Sequence, residues 1–212
     1  MFDMKTILQD LAANRPVFED KRDFQQALAG AVQEHLDTAS VQIRFAIYAN
    51  GQPDHKVDIW VAHSGRSLAA EVHYRTDALV AEHAHRAFTL RAQKAQDYGR
   101  YDFLKDVERL EKITSCIPDL EGWVILLTND HLYWEEKKKQ YSIDQQFHVH
   151  EGRRLSGELR WGPTAGKGST RRREEPIVLE YEYCAKWENY SHVNDQRSGT
   201  FRYLALRVPP QH

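Results

Sequence analysis

The chain has 212 residues, 41% of them hydrophobic and 28% charged, the composition of a soluble globular domain with enough apolar residues for one sizeable core. A formal net charge of −2 excludes a globally basic nucleic-acid binder, so contact with a polyanion would have to come from local patches. The two cysteines, Cys116 and Cys184, match no metal spacing and argue against a disulfide scaffold; with no signal-peptide pattern and no apolar run of membrane-spanning length, the expected setting is cytoplasmic.

In chain order, residues 4–13 read as a short helix ending near Asn14-Arg15-Pro16. A second helix starts around Asp20 to Asp23 and runs to Leu36, with Phe24, Leu28, Ala31, Val32 and His35 on one stripe. Residues 41–48 alternate as a strand that stops at the turn signal Asn50-Gly51. Residues 57–61 and 68–74 then read as two strands of a hairpin. Residues 82–98 suggest a helix through Ala84, Phe88, Arg91, Ala95 and Tyr98, interrupted at Gly99 and resumed by Phe103, Val107 and Leu110. The unbroken apolar run Trp123 to Thr128 predicts a strand covered on both faces. Beyond it lie a charged stretch (Glu135 to Lys139), a polar segment over 148–175 with a Gly- and Arg-rich loop at 162–175, and two further strands at Ile177–Cys184 and Phe201–Val208.

The hairpin carries the most chemistry. Ser64-Gly65 as a two-residue turn sets Asp58 opposite Glu71 and Lys56 opposite His73, all four on one face. Opposed Cβ atoms in a sheet are about 5 Å apart, where like charges repel, and burial among apolar neighbours raises the cost. A hard divalent cation between the two carboxylates would relieve it. The same acids on an exposed hairpin, paired with Lys56 or an arginine, would carry no such chemistry, and a one-residue slip would send them to opposite faces.

The order helix, three strands, helix, strand, with Asp58 on the second strand and Glu71-Val72-His73 on the third and twelve residues between Asp58 and Glu71, resembles the PD-(D/E)XK nuclease superfamily over roughly residues 20–130. The resemblance implies a restriction-endonuclease-like α/β fold with a mixed central sheet, residues 131–212 forming a C-terminal β-rich extension of a single domain. It implies a Mg²⁺- or Mn²⁺-dependent nuclease acting on nucleic acid, DNA before RNA, with Asp58 and Glu71 as metal ligands and Glu34, on the early helix, as a third. His73 stands where that family carries a lysine. A histidine is shorter and titrates near neutral pH, so Lys56 or Lys94 would have to assist it. The alternative is a catalytically inactive nuclease-fold protein that binds nucleic acid or a partner protein. Lys137, Lys138 and Lys139, beside Tyr133 and Trp134, and Arg171, Arg172 and Arg173 are the candidate contacts to a phosphate backbone. No membrane partner is expected, and a homodimer is admissible.

Overall fold

The computed structural model describes residues 3–49, 52–136 and 141–210. Helix α1 (Met4–Asn14) starts where the Asp3 carboxylate accepts the Thr6 backbone N–H at 3.1 Å, and α2 (Lys21–His35) where Asp20 accepts that of Asp23 at 2.9 Å. Both are short-side-chain acids at N-cap positions, satisfying a backbone donor that the first turn leaves over. Strands β1 (Ser40–Ala49), β2 (Gln52–His63) and β3 (Arg66–Arg75) follow, then a small hairpin of β4 (Leu79–His83) and β5 (Arg86–Leu90). Helix α3 (Gln96–Cys116) leads to β6 (Leu120–Thr128). The last third contributes β7 (Arg154–Leu159), β8 (Ile177–Cys184), β9 (Trp187–His192) and β10 (Thr200–Val208), with a single helical turn at Lys167–Thr170.

The architecture is mixed α/β. Six strands form one sheet in the order β1-β2-β3-β6-β10-β9, in which only β3 and β6 run parallel. Helices α1 and α2 and the β4–β5 hairpin cover one face. There Leu8, Phe18, Phe24 and Leu28 pack with Ile59, Ala70, Val72, Tyr74 and Ile125. Helix α3 and the separate β7–β8 pair cover the other, packing Phe103, Leu104, Val107 and Leu110 with Val57, Ala69, Val124 and Leu126. The Val124–Leu127 run of β6 is therefore apolar because both faces of the strand lie inside a core. Among the described residues no helix is long and apolar enough to cross a membrane.

Two expectations are corrected. Residues 82–95 are not helical: the β4–β5 hairpin and a linker occupy them before α3 begins at Gln96, and the segment's alternation (Leu79 and Ala81 buried, Val80 and Glu82 exposed) has period two. Its two-residue turn is Ala84-His85, with φ of 49° and 63°, so the glycine or asparagine that normally announces such a turn is missing. Gly99 does not interrupt α3. It lies inside the helix, where the absence of a Cβ admits the Tyr133 phenol. The expected C-terminal β-rich extension is present: β10 pairs along β6, β9 along β10, and β7 and β8 form a separate pair. The turn read at Asn50-Gly51 lies outside the described residues.

Candidate functional site

The β2–β3 turn adopts left-handed backbone at both Ser64 (φ 50°) and Gly65 (φ 77°), the conformation a two-residue hairpin requires. From it the ladder runs in the predicted register, His63 opposite Arg66 through Ile59 opposite Ala70, and there it ends. At the next step the Asp58 carboxylate, not a main-chain carbonyl, accepts the Val72 N–H at 3.0 Å. The two strands part, and Asp58 bridges the fork.

The parting is matched on β1. Ile43 pairs with Ile59 and Phe45 with Val57, but Arg44 and Asp58 between them are unpaired, and Arg44 has φ of 56°. Across this kink β2 changes face by one residue. Ile59 and Asp58 both turn toward α2, where Lys21 Nζ lies 2.8 Å and Gln25 Nε2 3.3 Å from the Asp58 carboxylate. Val57 and His55 turn toward α3. The expected common face for Asp58, Lys56, Glu71 and His73 is corrected accordingly. Asp58 serves the α2 side and Glu71 and His73 the α3 side, while Lys56 is exposed and makes no hydrogen bond or ion pair among the described residues.

On the α3 side the groups form a continuous network. His55 Nε2 lies 2.5 Å from Glu71 Oε1 and 3.1 Å from an Arg109 guanidinium nitrogen. Arg109 donates to Asp106 at 2.5 Å and stands 3.8 Å from Glu71, and the other Asp106 oxygen meets His73 Nε2 at 2.8 Å. The short contact between Glu71 and His55 needs one proton between them. Burial pushes the Glu71 carboxyl above its usual range, and the negative charges of Asp106 and Asp58 add to this against the His55 hydrogen bond. Burial would also raise Asp106, but the His73 hydrogen bond and then the charges of His73, Arg109 and Lys21 outweigh it and hold Asp106 below the ordinary carboxylate range. His73 is thus a buried histidine whose ring a carboxylate orients through Nε2.

Two carboxylates, two imidazoles and Arg109 therefore meet on the α3 side of the fork, and Asp58 with Lys21 stands across it on the α2 side. The repulsion expected between Asp58 and Glu71 is relieved by the chain's own groups, Lys21 on one and His55 with Arg109 on the other. Among the described residues no cluster of three or more Asp, Glu, His or Cys side chains is arranged as a metal cage. A Mg²⁺ ion needs only one or two carboxylates beside its waters, and the oxygen donors of Asp58 and Glu71 suit it chemically. Burial is the main cause of the raised proton affinity of Glu71, and the charges of Asp106 and Asp58 contribute less.

The remaining candidates fall elsewhere. Glu34 is exposed near the C-terminal end of α2, lining a groove with Asp10, Asn14 and His35; nine residues beyond Gln25, it is displaced about 13 Å along the axis and stands outside the cluster. Lys94 is exposed in the linker before α3, whose start lies about 15 Å along the helix from Asp106, so Arg109 is the basic group beside Glu71. Lys137, Lys138 and Lys139 lie outside the described residues. Arg173 is not free for a phosphate, because both of its nitrogens clamp Asp102 at 2.7 Å and its guanidinium sits 4.4 Å from the Tyr98 ring centre. Arg171 and Arg172 are exposed, and Arg172 joins Lys105, Asp106 and Arg109 around a cavity of about 430 Å³.

Sequence reasoning missed Lys21, Gln25, His55, Asp106 and Arg109. The last two stand three residues apart and form an ion pair of the kind common on a helix surface; nothing local tells that the helix turns it onto β3. No family model matches the chain, and no curated protein or solved structure matches it.

Proposed function

We propose that this chain is a restriction-endonuclease-like, metal-dependent nuclease that hydrolyses phosphodiester bonds in DNA or RNA. The observation that carries the reading is the buried pair Glu71 and Asp106 joined through Arg109 on the α3 side of the β2–β3 fork, with Asp58 bridging the fork from the α2 side and Glu71 held above its ordinary carboxylate range. The strand order β1-β2-β3-β6 with its parallel β3–β6 pair supports it. Asp58 and Glu71 would hold Mg²⁺ or Mn²⁺, and the bound ion would supply an acidified water and neutralise charge on the attacked phosphate. The chain's own residues orient and move protons. Arg109 offers a guanidinium for charge developing on the phosphate, Glu71 and His55 share a proton, and His73 accepts or returns one at Nδ1 while Asp106 fixes its ring.

The test is cleavage of plasmid DNA and of an RNA by the purified chain with Mg²⁺, Mn²⁺ or chelator, beside Asp58→Ala and Glu71→Gln. Metal-dependent cutting lost in both variants is the expected result; cutting that survives Asp58→Ala overturns the site. A second reading, a nuclease-fold protein that binds nucleic acid without cutting it, is favoured by one observation: Lys21 and Arg109 already neutralise the carboxylates, and His73 is engaged by Asp106. Absence of both metal binding and cutting in the wild-type chain would select it.

A further inference from the structure

On the α2 side of the fork a cavity of about 530 Å³ opens between α2 and β1, a volume in the range of about 300–1,000 Å³ typical of small-ligand sites. Its wall carries three cations, Lys21, Arg22 and Arg44, against a single carboxylate, Asp58. Lys21 is already on Asp58, but its ammonium has three donors and can serve a second acceptor. Arg22 and Arg44 are exposed, and among the described residues neither has a hydrogen-bond or ion-pair partner.

The third cation is there because of the kink in β1. A regular strand would alternate, so that with Val41 and Ile43 on the α2 side Arg44 would point toward α3. Instead Arg44 takes φ of 56°, a left-handed conformation that costs an L-residue energy, and lines the cavity on the α2 side, while Phe45 packs with Trp60 in the α3-side core. The kink thus sets a third positive charge beside two others, an arrangement that repels itself in the free protein. An anion in the cavity would reverse the sign of that energy. Ile43, 42% exposed, gives the same wall an apolar surface, and the Gln25 and Gln26 amides add hydrogen-bonding groups.

We infer that this cavity is the phosphate-binding site for a nucleic-acid strand, with Arg22 and Arg44 gripping the backbone and Lys21 bridging a phosphate to Asp58, the sugar or base lying on Ile43. The inference rests on the nuclease reading for its ligand class and deepens it by giving the strand a path to the α2 side of the fork. Arg172 and Arg173 on the opposite face are not its grip.

The experiment is binding of a short fluorescently labelled single-stranded oligonucleotide, followed by anisotropy in chelator so that no catalysis is needed. Arg22→Ala and Arg44→Gly are compared with wild type and with Arg154→Ala, whose side chain pairs with Glu182 on the remote β7–β8 pair. Arg44→Gly tolerates the left-handed backbone and so removes the guanidinium without disturbing the kink. Each cavity variant is expected to weaken binding about fivefold or more, independent of base sequence, and to lower the salt dependence by roughly one counterion, with Arg154→Ala unchanged. Wild-type-like binding and salt slope in Arg22→Ala and Arg44→Gly overturn the inference, as does failure of the wild-type chain to bind. Binding that needs the cavity in a chain that never cuts leaves the inference standing and removes the nuclease reading. Metal-dependent cutting with unaltered KM in both variants does the opposite.

Discussion

Asp58 is where strand separation and the proposed chemistry meet, and the two can be pulled apart by substitution. Asp58→Ala leaves the Val72 N–H without the acceptor it now has at 3.0 Å. A hydrogen bond to a charged group contributes about 1.5–3 kcal/mol. The Lys21 partner is half exposed, so its loss adds only about 0.2–1 kcal/mol. Since water can reach the site in part, we expect a total near 2–3 kcal/mol, read as a shift in urea midpoint or as a fall in Tm of roughly 4–12 °C for a chain of this length. Asp58→Asn keeps an amide oxygen for Val72 and loses only the charge, so its cost is about 1 kcal/mol or less. Circular dichroism across a urea series measures both. Equal destabilisation by the two variants, or none by either, would mean that the carboxylate does not bridge the fork. If Asp58→Asn is nearly as stable as wild type yet loses metal-dependent cutting, the carboxylate's role in the reaction is separated from its role in the fold.

Glu71 gives a pH signature. Its folded carboxyl holds a proton more tightly than the unfolded chain, whose value is near 4.5, so stability falls as pH rises from there through the raised folded value. Glu71→Gln removes this titration, and urea midpoints of the variant should stay level across a window where wild type declines; parallel profiles would refute the assignment. Asp106 acts in the opposite sense. Its lowered carboxyl adds stability that is present above the unfolded value of 3.8 and lost as pH falls through the folded one, so Asp106→Asn should blunt the acid limb of the same profile. Gly99→Ala should cost about 1–3 kcal/mol, because its Cβ would enter the Tyr133 phenol inside the α3 packing; a neutral result in urea would mean that Tyr133 swings away freely. Arg100→Ala removes the guanidinium that stands 2.6 Å from buried Asp144, leaving Ser142 and His148 beside the carboxylate, and should cost about 3–5 kcal/mol in the same assay. His73→Lys should retain or raise cutting if the site is competent, with a plasmid assay as the readout.

Features read well from sequence were local ones. The stripe Phe24, Leu28, Ala31 and Val32, the N-cap at Asp20, the alternation of β1 to β3 and the Ser-Gly turn each state their conformation within a few residues, and the hairpin register followed from the turn alone. Segments lacking a local marker were misread. The Ala84-His85 turn has no glycine, β7 and β9 sit in polar surroundings, and Gly99 looks like a helix breaker until Tyr133 is placed against it.

The candidate site divides along the same line. From sequence alone it followed that Asp58, Glu71 and His73 stand on adjacent strands of one hairpin, since strand geometry and turn chemistry are properties of neighbouring residues. What those side chains meet was decided by packing. The kink at Arg44 turned Asp58 to the α2 side, and the seating of α3 carried Asp106 and Arg109 onto Glu71 and His73 from more than thirty residues away. Charge is balanced through space, between groups that no short window of chain contains, and so the partners of these acids belonged to the tertiary structure.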